Sequence, residues 1–272
     1  MPLLVLLCAM AVLPGCVMLS DVTVSQSVES GKGIGSHMAT GFIDKTLKQG
    51  DKAFPYAVYV PRDYNKEKEW PLVVFLHGAG ERGNDGLIQT NEGIGPAIRK
   101  NPERFPAVVL FPQCPKDSAW ISVPAMLDDV IERTRKEYRI DEKRIYLTGL
   151  SMGGYGTWIW GAVHTDLFAA MIPICGGGKT DDLKHLNKEQ VTKDYGTLED
   201  RVARLVSVPI WAFHGAADDV VPPARSREMV ELLRAAGSSI QYTEYPGVNH
   251  NSWSATYADE AVVRWMFSQK KK

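Results

Sequence analysis

The strongest constraint on the fold is the segment 149–154 (GLSMGG), which joins an apolar run to a run compatible with a helix. Residues 144–148 predict a strand and 155–160 predict a helix, so Ser151 stands in the strand-to-helix turn of a G-x-S-x-G motif. Such a turn strains the backbone of the Ser and requires Gly beside it. The motif also arises by chance, as a Gly-rich turn with an incidental Ser. The strand–turn–helix context favours Ser151 as a nucleophile whose hydroxyl is lifted clear of the sheet.

The rest of the chain predicts an α/β fold. Near-continuous apolar runs are typical of strands buried on both faces of a mainly parallel sheet, and they occupy residues 70–76, 107–111 and 210–213. Amphipathic stretches predict helices packed on the sheet at residues 123–138, 155–164, 223–236 and 258–269. Alternation in 41–47 and 54–61 predicts an antiparallel hairpin. We therefore expect a doubly wound, mainly parallel sheet with an antiparallel N-terminal edge, as one domain over residues 41–269.

Composition excludes several classes of function. The net charge of −1 gives no basic excess for nucleic acid, so we expect no nucleic-acid partner. No pair or cluster of Cys and His has metal-ligand spacing, which predicts no metal and no cofactor. Cys114 and Cys175 each follow a predicted strand and are expected to be buried thiols, with a disulfide as the alternative. We expect a monomer.

The first residues predict export. The apolar stretch 3–13 is too short to span a bilayer comfortably and ends at Leu13-Pro14-Gly15-Cys16, so residues 1–16 are interpreted as a signal peptide. Cys16 after Gly15 resembles a bacterial lipobox, although Pro14 and the lack of an early Lys or Arg depart from that pattern. Residues 17–40 are predicted to be a flexible tether. The expected location is periplasmic or at the cell surface, with membrane attachment through Cys16 if it is lipidated.

A Ser nucleophile needs a base, and the base needs a carboxylate to orient it. In hydrolases whose nucleophile is the Ser of a G-x-S-x-G motif, the triad residues follow in the order Ser, Asp, His, and each lies on a loop after a strand. His250 follows the last predicted strand, 240–245, and is the candidate base. The orienting carboxylate is Asp218 or Asp219, and the residues alone leave both open. His77 and His214 each precede a Gly at a strand end and are expected to brace loops.

The charge that develops on the acyl oxygen needs N–H donors, each worth about 3 kcal/mol in the transition state. Met152, directly after the Ser, is one candidate donor. The glycine-rich loop 77–83 is expected to supply the other through the backbone of Ala79, with Gly80 as the second choice.

Four motifs carry a family resemblance: LHGAGERG at 76–83, GLSMGGY at 149–155, FHGAADDVVP at 213–222 and YPGVNHNSW at 245–253. From about residue 41 the chain resembles exported α/β-hydrolase serine esterases, in the group of feruloyl and acetylxylan esterases, polyhydroxyalkanoate depolymerases and prolyl-oligopeptidase-like enzymes. The family pattern H-G-x-x-D-x-x-V-P implies that Asp218 is the acid. The resemblance also favours Ala79 and Met152 as donors, and it implies a serine carboxylic-ester hydrolase with an acyl-enzyme intermediate.

The substrate is less well defined by the sequence. Carbohydrate-linked, aryl and polyester-type esters all fit, and Trp120 and Trp253 are the predicted substrate-binding aromatic residues. Residues 176–199 form an unusually long connection, interpreted as a lid or as a surface insertion that reaches the rim of the pocket. One alternative function is a prolyl-oligopeptidase-like peptidase, although that class usually carries a large N-terminal propeller for which this chain has no room. The other is a non-catalytic surface-binding protein.

Overall fold

The computed structural model describes residues 38–186, 191 and 193–272. The strands are β1 (Gly41–Gln49), β2 (Lys52–Val60), β3 (Trp70–Leu76), β4 (Val108–Pro112), β5 (Ile140–Leu150), β6 (Ala170–Ile174), β7 (Trp211–Gly215) and β8 (Gln241–Tyr245). They form one 8-stranded sheet in the order β1-β2-β4-β3-β5-β6-β7-β8. The pairings β1–β2 and β2–β4 are antiparallel and the others are parallel. The predicted sheet and its antiparallel N-terminal edge are confirmed.

Helices cover both faces of this sheet. They are α1 (Ile94–Lys100), α2 (Pro124–Glu137), α3 (Met152–Ile159), α4 (Leu198–Leu205), α5 (Ala224–Ala235), α6 (Trp253–Ala258) and α7 (Glu260–Ser268). Short 3-10 turns lie at Ala79–Glu81, Ile88–Thr90, Pro102–Arg104, Trp120–Ser122, Gly161–Val163 and Thr180–Leu186. The sequence pattern did not single out α1, α4 and α6, because short helices carry too few turns to show a period of 3.6 residues.

The two-residue period of β3 shows how the core is divided. Leu72, Val74 and Leu76 face one apolar cluster, whereas Val73 and Phe75 face the other. Helices α2 to α5 contribute to the first cluster, and α1, α6 and α7 contribute to the second. Every side chain of β3 is buried, which explains why its sequence is apolar throughout.

The order in which the chain adds strands to the sheet changes direction at β3. Strand β4 lies on one side of β3, and the chain then returns over it to place β5 on the other side. Because β3, β5, β7 and β8 run parallel, their carboxyl ends meet at one edge, which is where ligands bind in open α/β sheets.

The predicted signal peptide 1–16 and most of the predicted tether 17–40 lie outside the described residues. Among the helices that are described, none is long and apolar enough to span a membrane.

Candidate active site

Ser151 lies between β5 and α3 in a left-handed backbone conformation, with φ 53° and ψ −117°. Its N–H donates to the carbonyl of Ile174 at 3.0 Å and to Sγ of Cys175 at 3.3 Å. A Cβ atom at Gly153 would lie 1.8 Å from the carbonyl oxygen of Leu76, so this position requires Gly. The close approach of α3 to β3 and the backbone strain at Ser151 thus both arise in the tight turn between β5 and α3.

Three side chains that are far apart in sequence form a hydrogen-bonded chain above the sheet edge. Nε2 of His250 lies 2.9 Å from Oγ of Ser151, and its Nδ1 lies 2.7 Å from Oδ2 of Asp218. The carboxylate of Asp218 is fully buried, whereas Asp219 is exposed. Of the two aspartates that the residues left open, Asp218 is therefore the one in contact with His250.

Asp218 is held by its own loop. Oδ1 accepts the backbone N–H groups of Val220 and Val221, each at 2.9 Å. Its Oδ2 also lies 3.1 Å from Nε2 of the buried His214. The carboxylate is therefore oriented before any ligand arrives.

His77 braces the loop that follows β3. Its Nδ1 lies 2.6 Å from the carbonyl of Gly78, and its Nε2 lies 3.0 Å from the backbone N–H of Cys114. A carbonyl requires a donor and an N–H requires an acceptor, so the neutral ring carries its proton on Nδ1. Complete burial lowers the pKa of His77 to about 4, which keeps the ring in this neutral form.

Ala79 and Met152 both lie beside Ser151. Met152 is the first residue of α3 and Ala79 is the first residue of the turn Ala79–Glu81, so neither N–H has a partner within its own helix. Both residues line the cavity of about 260 Å³ that also contains Ser151. Both N–H groups are therefore candidates to donate to a ligand in this cavity.

The wall of this cavity is partly apolar and partly charged. Leu183, Leu186 and Val221 contribute apolar surface. Asp182, in the same wall, accepts from the hydroxyl of Tyr155 at 3.2 Å and pairs with Arg225 at 2.8 Å.

The turn Thr180–Leu186 belongs to the long connection 176–199, and the described part of that connection does reach the cavity. Arg82 donates to the carbonyl of Leu186 at 2.9 Å, so this turn is tied to the body at both ends: through Arg225 to Asp182 and through Arg82 to Leu186.

The two predicted aromatic residues have different positions. Trp253 packs edge-on against His250 with ring centroids 5.4 Å apart, and its indole N–H donates to Glu92 at 3.1 Å. Trp120 is completely buried and donates to the carbonyl of His77 at 2.9 Å. The placement of Trp120 corrects the prediction that it binds substrate: its N–H is used to brace the loop after β3, and its ring belongs to the core.

One group of potential metal ligands coincides with this site. Ligand atoms of Cys175, Asp218 and His250 lie within 4.8 Å of one another. Burial raises the pKa of the Cys175 thiol, whereas a metal ligand must be a thiolate. The other two atoms already share a hydrogen bond, so the donor set does not fit a metal ion. Cys114 and Cys175 are buried, and in the described residues they form no disulfide.

Sequence reasoning missed the polar wall. Tyr155 lies two positions after the end of the G-x-S-x-G motif, and this position was the one available signal. Asp182 and Arg225 lie 43 positions apart in the chain, and neither stands in a recognisable motif. Their pairing depends on how the turn Thr180–Leu186 packs against α5.

The chain is similar to several known esterases and to a depolymerase. A solved thermostable esterase is 36% identical with a TM-score of 0.71, over 85% of this chain and 63% of that one. A bifunctional acetylxylan esterase/xylanase of Neocallimastix patriciarum is 29% identical over 60% of this chain, and a poly(3-hydroxyalkanoate) depolymerase C of Paucimonas lemoignei is 26% identical over 66%. The chain spans 21% and 46% of the lengths of these last two relatives.

The fold is the α/β-hydrolase fold that such esterases share. The family model of prolyl oligopeptidases matches residues 127–269, which include the Ser151 turn, Asp218 and His250. This match covers just over half of the sequence, and the chain therefore belongs to the prolyl oligopeptidase family.

Proposed function

We propose that the protein is a serine carboxylic-ester hydrolase in which Ser151, His250 and Asp218 form the catalytic triad. The observation that carries this proposal is the continuous hydrogen-bonded chain from Ser151 through His250 to the buried Asp218, at 2.9 and 2.7 Å. A nucleophile, a base in contact with it and a carboxylate that orients the base are what acyl transfer requires.

In the proposed reaction, Oγ of Ser151 attacks the ester carbonyl carbon while Nε2 of His250 takes the hydroxyl proton. The N–H groups of Ala79 and Met152 stabilise the oxyanion that forms. His250 then gives its proton to the leaving alcohol, and the acyl group remains on Ser151. A water molecule, deprotonated by His250, attacks the acyl-enzyme. The bond between the acyl group and Oγ of Ser151 then breaks, which releases the carboxylic acid, and His250 returns its proton to Ser151.

Carbohydrate-linked, aryl and polyester-type esters are the proposed substrates. Support comes from relatives named acetylxylan esterase and poly(3-hydroxyalkanoate) depolymerase. The half-apolar, half-charged cavity wall suits an acid or alcohol that carries polar groups. Hydrolysis of feruloyl, acetylated-polysaccharide, aliphatic polyester and simple short-chain esters, compared side by side, would identify the class.

A peptidase is the second candidate, because the matching family is that of prolyl oligopeptidases. The triad geometry fits both ester hydrolysis and peptide hydrolysis. The two functions are therefore distinguished by the leaving group that the protein releases, an alcohol or an amine. Release of nitrophenol from p-nitrophenyl esters, without release of aniline from peptide anilides, is the expected result. The opposite preference would favour the peptidase.

The mechanism is tested by Ser151→Ala. We expect kcat on p-nitrophenyl esters to fall by at least about 10⁴-fold, as it does when a triad nucleophile is removed, and labelling by a fluorophosphonate probe to disappear. Ser268→Ala is the matched control, because Ser268 is exposed on α7. Full activity in Ser151→Ala would reject the mechanism, and a wild-type protein that the probe does not label would favour the non-catalytic alternative.

Location and domain boundaries remain predictions from the sequence. We propose that residues 41–269 are the catalytic domain and that residues 1–16 direct export, with Cys16 as the candidate lipid attachment site. Loss of membrane association in Cys16→Ala would support lipidation, and retention of it would count against lipidation.

A further inference from the structure

We propose that His214 is a positioning residue for the triad, which holds the carboxylate of Asp218 in the orientation that His250 needs. The inference rests on the proposed function and adds to it a fourth side chain that touches no substrate. His214 is completely buried at the end of β7 and does not line the cavity beside Ser151.

The surroundings of His214 determine which of its nitrogens carries a proton. Nε2 lies 2.9 Å from the carbonyl of Val221 and 3.1 Å from Oδ2 of Asp218. Both oxygens only accept hydrogen bonds, so Nε2 must be protonated. Its N–H donates to the carbonyl of Val221, in the loop that carries the triad carboxylate, and Oδ2 of that carboxylate lies beside the same N–H as a second acceptor.

Ser226 completes the arrangement on the other side of the ring. Its Oγ lies 2.7 Å from Nδ1 of His214, and it also lies 3.0 Å from the carbonyl of Gly176. Burial lowers the pKa of His214, so the ring is neutral and Nδ1 is an acceptor. The single Ser226 hydroxyl proton is shared between Nδ1 and the carbonyl of Gly176. Ser226 lies in α5 and is itself completely buried, so this helix fixes the plane of the ring.

Oδ2 of Asp218 therefore faces two imidazole N–H groups, one from His250 and one from His214. His250 contacts it at 2.7 Å and His214 at 3.1 Å, while Oδ1 accepts two backbone N–H groups. If the His214 donor is lost, a buried lone pair has no partner and the carboxylate can rotate. Rotation moves the acceptor away from His250 Nδ1, which changes the chemical step and leaves substrate binding unaffected.

A pair of amide variants separates this role from simple packing. Gln at 214 can place its amide N–H groups near the position of Nε2, whereas the side chain of Asn is one bond shorter and reaches only the position of Nδ1. We expect His214→Asn to lower kcat by about 10- to 100-fold, the range in which removal of the outer hydrogen-bond partners of metal ligands lowers affinity or activity. KM should stay near the wild-type value, and His214→Gln should retain most of the wild-type kcat. Fluorophosphonate labelling of Ser151 should slow in parallel with kcat.

Equal activity in the two variants, whether high or low, would overturn the proposal, and so would a higher KM at unchanged kcat. Thermal unfolding reports whether each variant folds. Should His214→Asn not fold, Ser226→Ala takes its place, because removing this hydroxyl frees the ring to turn. We then expect the proton resonance of His250 Nδ1–H to shift, and an unchanged resonance would contradict the positioning role.

The same resonance separates this proposal from the proposed function. A wild-type protein that hydrolyses no ester and is not labelled would reject the esterase assignment. The coupling of His214 to His250 would still be seen as a resonance that changes in His214→Asn and is preserved in His214→Gln.

Discussion

Ser151 has φ 53°, and its neighbour across the sheet edge, Cys175, has φ 42°. In the described residues these are the non-glycine positions with positive φ. Such backbone strain costs on the order of 1–3 kcal/mol per residue and persists only where the surroundings enforce it. Here the N–H of Ser151 is held by the carbonyl of Ile174 and by the Cys175 sulfur, so the two strained residues support each other.

Gly153 shows how little space the turn allows. In Gly153→Ala the new Cβ would meet the carbonyl oxygen of Leu76 at 1.8 Å, and neither backbone segment can yield without moving α3 off β3. We expect the free energy of unfolding to fall by about 3 kcal/mol or more, as with severe overpacking. Urea denaturation measures it.

Gly80→Ala is the matched control for stability, because a Cβ at Gly80 meets nothing within 4 Å. Its free energy of unfolding should stay within about 0.5 kcal/mol of the wild-type value. If the two variants had similar stabilities, the close contact between α3 and β3 would not be what requires Gly at position 153.

Single residues were predictable where a motif combined with a strand end. Ser151, His250 and Asp218 each follow a strand, and the structure brings them together. The prediction for Trp120 failed because sequence distance from a strand end does not say which way a ring points. The indole N–H of Trp120 donates to the carbonyl of His77, and its ring packs in the apolar core.

Among the secondary-structure elements, the turn Thr180–Leu186 has the largest influence on the shape of the cavity. It supplies Asp182, Leu183 and Leu186 to the wall, and the pair between Asp182 and Arg225 connects it to α5. This pair is partly exposed, so we expect it to contribute no more than about 1 kcal/mol to holding the turn in place.

Arg225→Ala tests the role of this connection. We expect KM for the preferred ester to rise by roughly fivefold, which corresponds to about 1 kcal/mol, with little change in kcat. The reason is that Arg225 and Asp182 shape the cavity wall, whereas the hydrogen-bonded chain at Ser151 does not involve them. Steady-state kinetics on p-nitrophenyl esters and on the preferred substrate measures both constants.

Arg227 provides the control on the same helix. It pairs with Glu244 at 2.5 Å, away from the cavity. Arg227→Ala should leave KM unchanged. An equal rise in KM in both variants would point to a general effect on α5 and would count against a specific role for the pair at the cavity.

Elements were predictable in proportion to their length and burial. Strand β3 was predicted with the same bounds that the structure shows, and α2 and α5 differ by one residue at each end. The sequence around the turn Thr180–Leu186 showed no period, because this turn is held by partners elsewhere in the fold, Arg82 and Arg225.

The stability of the whole molecule depends on pH through the buried histidines. His77 has a pKa of about 4 in the folded protein against 6.5 in a model peptide, since burial disfavours its charged form. Between these values the unfolded chain binds a proton that the native protein does not. The free energy of unfolding should therefore fall as the pH drops from about 6.5 to about 4. At about 1.36 kcal/mol per pKa unit, His77 alone accounts for about 3 kcal/mol.

Urea denaturation of wild type and His77→Asn across this pH range tests the assignment. Asn can still donate to the carbonyl of Gly78 but does not titrate, so its stability curve should be flatter. His185→Asn is the control, because His185 is exposed, and it should keep the wild-type slope. Parallel curves for wild type and His77→Asn would mean that other groups cause the acid sensitivity.

By itself the sequence determined the fold class, the strained turn at Ser151 and the order of the triad candidates. These features depend on local patterns: apolar runs, strand-end loops and glycines that a tight turn requires. Only the tertiary structure decided that Asp218 contacts His250, that His214 shares the carboxylate and that Asp182 meets Arg225. The contacts of Asp218 with His250 and of Asp182 with Arg225 join residues on different loops or helices, and that of His214 with Asp218 depends on how the loop after β7 folds back on the strand end. The distances are set by how these segments pack at the sheet edge, which no local pattern encodes.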